Sequence, residues 1–168
     1  MHQSYECPRR KWRSQQGTAR LIFMNDLEVD VMKRIKVLRI KAHCYPEIVR
    51  IPLGLDSLQK EVGGPIQAVY PWDDPVALIC NEEGKLDSDA VEHYNRVLAT
   101  EIGVPYDIVV GTFLIVGLTE DDFGSLSPEL QEKYEKLFHD PEEFSVRTDA
   151  HGKMCLDVHP CKPEDGAK

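Results

Sequence analysis

The chain has 168 residues and a formal charge of −9, with 42% hydrophobic and 29% charged residues. That length is enough for one domain with a real apolar core. The acidic balance argues against a general duplex-DNA binder, and no run approaches the ~20 apolar residues of a membrane span.

Five cysteines, Cys7, Cys44, Cys80, Cys155 and Cys161, are odd in number and scattered. They read as reduced thiols in a cytosol rather than a disulfide framework. Residues 1–31 hold five basic and four acidic side chains and no apolar period. They read as an arm, disordered or a non-native extension. Met32, opening directly into a strand, is an alternative start. Residues 32–144 form the expected single domain, and 145–168 a partly disordered tail.

Ile35, Val37 and Leu38 through Ile40 predict a first strand, and Ile48, Val49 and Ile51 a second. Asp56 and Ser57 can cap a short helix holding Leu55, Leu58 and Val62, with Gly63-Gly64 as its stop. Two apolar runs, 66–70 and 76–80, flank a turn of Pro71, Asp73, Asp74 and Pro75, which is the pattern of a hairpin. The second run empties into Asn81-Glu82-Glu83-Gly84. Val91, Tyr94, Leu98 and Ile102 recur at helical spacing after Asp87 and Ser88, so a helix is expected there, with Glu92, Asn95 and Arg96 on its polar face. The apolar run 106–118 reads as a long central strand bent at Gly111, or two strands meeting there. Thr119 to Asp122 resembles a capping box. Ser127-Pro128-Glu129 starts a second clear helix with a stripe of Leu130, Tyr134, Leu137 and Phe138. The tail holds one edge-strand candidate, 154–158. The expected fold is α+β: an antiparallel or mixed sheet of five to seven strands with two or three helices packed on one face.

Gly63-Gly64, the stretch from Asp74 through Asn81-Glu82-Glu83-Gly84-Lys85-Leu86, Gly111 to Gly117, Asp122-Phe123 and Ser125 to Leu130 together resemble domain-of-unknown-function family 3846. The likeness extends to Tyr134 and spans roughly residues 33–144. Asn95-Arg96 and Leu98 match a pair the family places soon after the Asn-Glu-Glu-Gly signature, here at a longer spacing. The resemblance implies a phage or mobile-element setting, in which small accessory proteins often blunt host defence.

The candidate ligand-binding residues are Tyr70, Asn81, Glu82, Glu83, Asn95, Arg96 and Thr112. Asn both donates and accepts, Arg grips phosphate or carboxylate with two hydrogen bonds, and Tyr70 or Trp72 can stack on a base. Each has a structural alternative: a turn, an ion pair, a bend, a core ring. The leading expectation is a non-catalytic anti-defence protein that sequesters a nucleotide-derived signal, its phosphates met by Arg96, Lys85 and Arg50. The second is an acidic, protein-directed inhibitor that imitates nucleic acid. The third is a small hydrolase using Glu82 or Glu83 with His93. No cofactor and no metal are expected, although His151, Cys155, His159 and Cys161 are ligand types that zinc accepts. Cys80 reads as a core thiol. Homo-oligomer formation stays open.

Overall fold

The computed structural model describes residues 33–87 and 89–162. The expectations for the arm 1–31, the start at Met32 and residues 163–168 lie outside them. Strand β1 (Arg34–Ile40) pairs antiparallel with β2 (Glu47–Pro52). Helix α1 (Leu55–Val62) follows, then the hairpin of β3 (Ile66–Val69) and β4 (Val76–Asn81). A 3-10 turn (Ala90–His93) leads into β5 (Tyr94–Ala99), which pairs with β6 (Pro105–Val110). Strand β7 (Phe113–Leu118) inserts between β1 and β4, and β8 (Phe123–Gly124) pairs with its far end. Helix α2 (Pro128–Leu137) and the hairpin of β9 (Glu142–Thr148) and β10 (Met154–Pro160) complete the described residues.

The main sheet has six strands in the order β2-β1-β7-β4-β3, with β8 beside β7, antiparallel at every pairing. Its central strands are covered on both faces, which is why β4 and β7 read as unbroken apolar runs. One face presents Val37, Ala77, Ile79, Leu114 and Val116 to Leu58 and Val62 of α1. The other presents Leu38, Ile40, Leu78, Phe113 and Ile115 to Tyr134 and Phe138 at α2, with Leu98 and Val109 of the second hairpin. Each fully buried aliphatic or aromatic side chain adds about 1.5–3 kcal/mol.

The chain is a single-domain α+β protein, with two α-helices among the described residues. Those helices pack on opposite faces of the sheet, not on one as expected. The helix expected over 87–102 is also replaced: beyond one 3-10 turn the segment is strand. The apolar run 106–118 is two strands in different sheets. They meet at Gly111, whose φ of +72° is open to glycine and strained for other residues. The expected boundary at 144 falls inside β9, and the segment beyond it forms a hairpin rather than one edge strand. Ser127 caps α2 as expected, its hydroxyl accepting from the Leu130 N–H at 3.3 Å. Thr119 and Asp122 close the short β7–β8 turn expected before Phe123, the Thr119 hydroxyl accepting the Asp122 N–H at 3.1 Å and donating to its carbonyl at 2.8 Å.

Candidate functional site

Asn81 closes β4 and is fully used by the turn it starts. Its Oδ1 accepts the Glu83 N–H at 2.9 Å, its carbonyl accepts the Gly84 N–H at 3.2 Å, and its Nδ2 faces the Gly63 carbonyl at 3.5 Å. This is an Asx turn, the local geometry for which Asn is suited. The amide lies against Gly64 so closely that a Cβ there would sit 2.7 Å from Nδ2. The Gly64 of the signature is thus the partner of its Asn, and the pair ties the end of α1 to β4. Glu82 and Glu83 are exposed, and their side chains make no hydrogen bond or ion pair with the described residues. His93 is likewise exposed, and no contact joins it to either glutamate.

Asn95 and Arg96 are strand residues, 0% and 1% exposed, and not the polar face of a helix. The Asn95 Nδ2 donates to the carbonyls of Gly111 at 2.7 Å and Ile40 at 3.0 Å. The Arg96 guanidinium donates to Phe138 O at 3.2 and 3.3 Å, Cys44 O at 2.8 Å, Asn95 O at 3.1 Å and Asn95 Oδ1 at 2.9 Å. All three of its nitrogens are spent, so no donor is left for a phosphate. Phe138 O lies at the C-terminus of α2, where the helix dipole favours a cation. Burial lowers the Arg96 pKa, opposed by the field of Glu142. The pair is a structural clamp joining β5, the β1–β2 turn, the β6–β7 bend and α2. The expected place of the pair on the exposed face of a helix is therefore corrected: both side chains are buried in a strand and bonded within the fold. Thr112 sits half-buried at the bend, and Tyr70 is exposed after β3. Trp72 is occupied by the rings of Tyr134 at 4.6 Å and Phe138 at 6.0 Å.

None of the seven predicted residues lines the large concavity that the fold creates. That concavity is a groove of about 1650 Å³ between the β5–β6 hairpin, the β9–β10 hairpin, the β3–β4 turn and α2. Its floor is apolar, with Trp72, Val97, Leu98 and Phe138. Tyr106 on β6, Leu137 on α2 and Leu156 and Val158 on β10 add exposed apolar surface, at 54%, 56%, 39% and 37%. Five carboxylates, Asp73, Asp74, Glu101, Asp107 and Glu142, stand against two lysines, Lys85 and Lys133.

Three of the five carboxylates are engaged. Asp74 Oδ2 accepts from Lys133 Nζ at 2.5 Å and from the Tyr134 hydroxyl at 2.8 Å, and these bonds hold its pKa low. Asp107 Oδ1 accepts from Lys85 Nζ and from the Ile108 N–H at 2.8 Å. Glu142 Oε2 accepts the Val97 N–H at 2.7 Å. Burial pushes the Glu142 carboxyl up, against the opposing pull of that bond and of Arg96. Asp73 and Glu101 are exposed and unpartnered among the described residues.

Sequence reasoning passed over this surface, although two signals were present. Met154, Leu156 and Val158 alternate, and Leu137 is the one member of the α2 stripe that points away from the core. Among the described residues no group of three His, Cys, Asp or Glu side chains could hold a metal ion. No helix there is long and apolar enough to cross a membrane.

A family model described as a domain of unknown function (DUF3846) matches residues 35–139. No curated protein and no solved structure matches the chain. The matched span covers both clamps, Asn81 with Gly64 and Asn95 with Arg96, and stops short of the β9–β10 wall of the groove.

Proposed function

The chain belongs to the DUF3846 family, and on that premise we propose that it is a non-catalytic binding protein whose ligand is another polypeptide, held in the groove. One observation carries this reading. The groove is larger than the roughly 300–1,000 Å³ of small-molecule sites, and apolar side chains stand exposed on three of its elements. Exposed apolar surface rimmed by polar groups marks protein–protein contacts and ligand grooves, and the size of this groove suits a polypeptide segment. The acidic rim agrees with a protein-directed role in which the chain covers a basic surface of its partner and blocks it.

Nucleotide sequestration needs converging cations, and the three candidates do not converge. Arg96 is buried and spent, Lys85 is paired with Asp107, and Arg50 lies on β2, away from the groove. For hydrolysis, Glu82 and Glu83 lack the oriented partner that would set a general base.

A photo-crosslinking residue placed at Tyr106, Leu137 or Leu156 of the full chain, in cells that carry the gene naturally, tests the reading. A discrete protein adduct from these three positions, and none from Lys60 on α1, is the expected result. A nucleotide released in stoichiometric amount on heat denaturation, with no adduct from any position, overturns it and restores the small-ligand reading.

A further inference from the structure

We infer that the segment the groove takes is cationic, an apolar stretch flanked by Lys or Arg, and that Lys85 and Lys133 are internal stand-ins for two of its charges. This rests on the polypeptide-binding reading above. The lining holds five carboxylates and two ammonium groups. Asp73 and Glu101 have no counter-ion among the described residues. A neutral apolar segment would cover the floor but desolvate those carboxylates without pairing them. An anionic segment would meet repulsion on every side. A cationic one pairs both while its apolar centre covers the floor.

The two lysines are placed to yield. Lys85 and Lys133 have side chains 55% and 57% exposed, so each ion pair is a solvent-screened contact of small worth. Their acceptors do not depend on them for position. Asp74 stays fixed by the Tyr134 hydroxyl, and Asp107 by the Ile108 N–H. When a lysine swings into water on its flexible stem, a preoriented carboxylate remains for an incoming cation, and no ordering cost falls on the acceptor.

The test uses the full chain and labelled peptides of about nine residues, about 30 Å when extended. A randomised apolar centre is flanked at both ends by Arg, Gln or Glu. Anisotropy titrations should show the Arg pool binding tightest, weakening as salt is added, with the Gln pool weaker and the Glu pool silent. Asp73→Asn and Glu101→Gln should each weaken the Arg pool about two- to fivefold. Lys85→Met and Lys133→Met should each tighten it by a similar factor. All four positions are exposed, and circular dichroism checks that the variants fold. Equal binding of the Arg and Gln pools, indifferent to the carboxylate variants, overturns the charge assignment and leaves the groove reading standing. Lysine variants that bind no tighter than wild type overturn the stand-in role. Silence of every pool overturns both readings together.

Discussion

Arg96→Ala separates a structural arginine from a ligand-binding one. The side chain is 1% exposed and gives five hydrogen bonds to four acceptors: the carbonyls of Phe138, Cys44 and Asn95, and Asn95 Oδ1. Truncation leaves these acceptors in a dry cavity. An unmet buried acceptor costs about 1–3 kcal/mol, and carbonyls that keep a second partner sit at the low end. Release of the desolvated guanidinium offsets part of the loss. The balance is a destabilisation of about 3 kcal/mol, in the upper tail for single substitutions. With a urea slope of about 1.5–2 kcal/mol/M, the midpoint should fall by about 1.5–2 M. Arg96→Lys should recover only part of this, since three donors on one nitrogen cannot reach acceptors spread around a planar fork. Equilibrium urea unfolding followed by tryptophan fluorescence reads the shift. A midpoint within 0.3 M of wild type would refute the clamp and return Arg96 to the candidate ligand residues.

The other predictions concern the remaining polar groups. Tyr134→Phe removes the hydroxyl bond to Asp74 while keeping the packing against Trp72, so a loss of about 1 kcal/mol is expected by the same unfolding assay. Asn81→Ala should cost about 1 kcal/mol through the lost Asx turn, whereas Glu83→Ala should stay within about 0.5 kcal/mol; equal losses would contradict the division between clamp and solvated carboxylate. The Glu142 carboxyl is raised by burial, so the folded state holds its proton more tightly than the unfolded chain does. Its contribution is complete below the ordinary glutamate value of 4.5 and is lost as pH rises through the raised folded value. Melting temperatures of Glu142→Gln and wild type should therefore converge on acidification and diverge toward neutral pH, and a constant gap would contradict the shift.

Much of the main sheet was legible because its pattern is local. Strands β4 and β7 are apolar runs, and β1 is a β-branched pattern broken by basic residues. The helices carry Gly63 at the end of α1 and Ser127-Pro128 at the start of α2, although Asp56 and Ser57 lie inside α1 and Gly54 stands at its N-cap. Strand β5 was not legible, for a specific reason. Val91, Tyr94, Leu98 and Ile102 imitate a helical stripe, while the strand buries Asn95 and Arg96, which break the alternation that announces a strand. The override is tertiary: carbonyls from Ile40, Gly111, Cys44 and Phe138, distant in sequence, make those two polar side chains fit a dry site. Strand β9 was hidden by its composition, Glu-Glu-Phe-Ser-Val-Arg-Thr, in which only Phe144 among the apolar residues is shielded, against Tyr94. The same ambiguity bears on the candidate residues. Asn, Arg and Gly are the residues that bind ligands, and they are also the residues that satisfy backbone at turns and bends. Only the register of the strands shows which task they perform here.

Hydrogen exchange on the full chain, with and without the arginine-flanked peptide pool, tests the central claim most directly. The account predicts slowed exchange in Tyr94–Ala99, Pro105–Val110 and Met154–Pro160, with the turn from Asn81 to Leu86 unchanged. Slowing confined to that turn, or slowing produced by nucleotides and not by peptides, would contradict it.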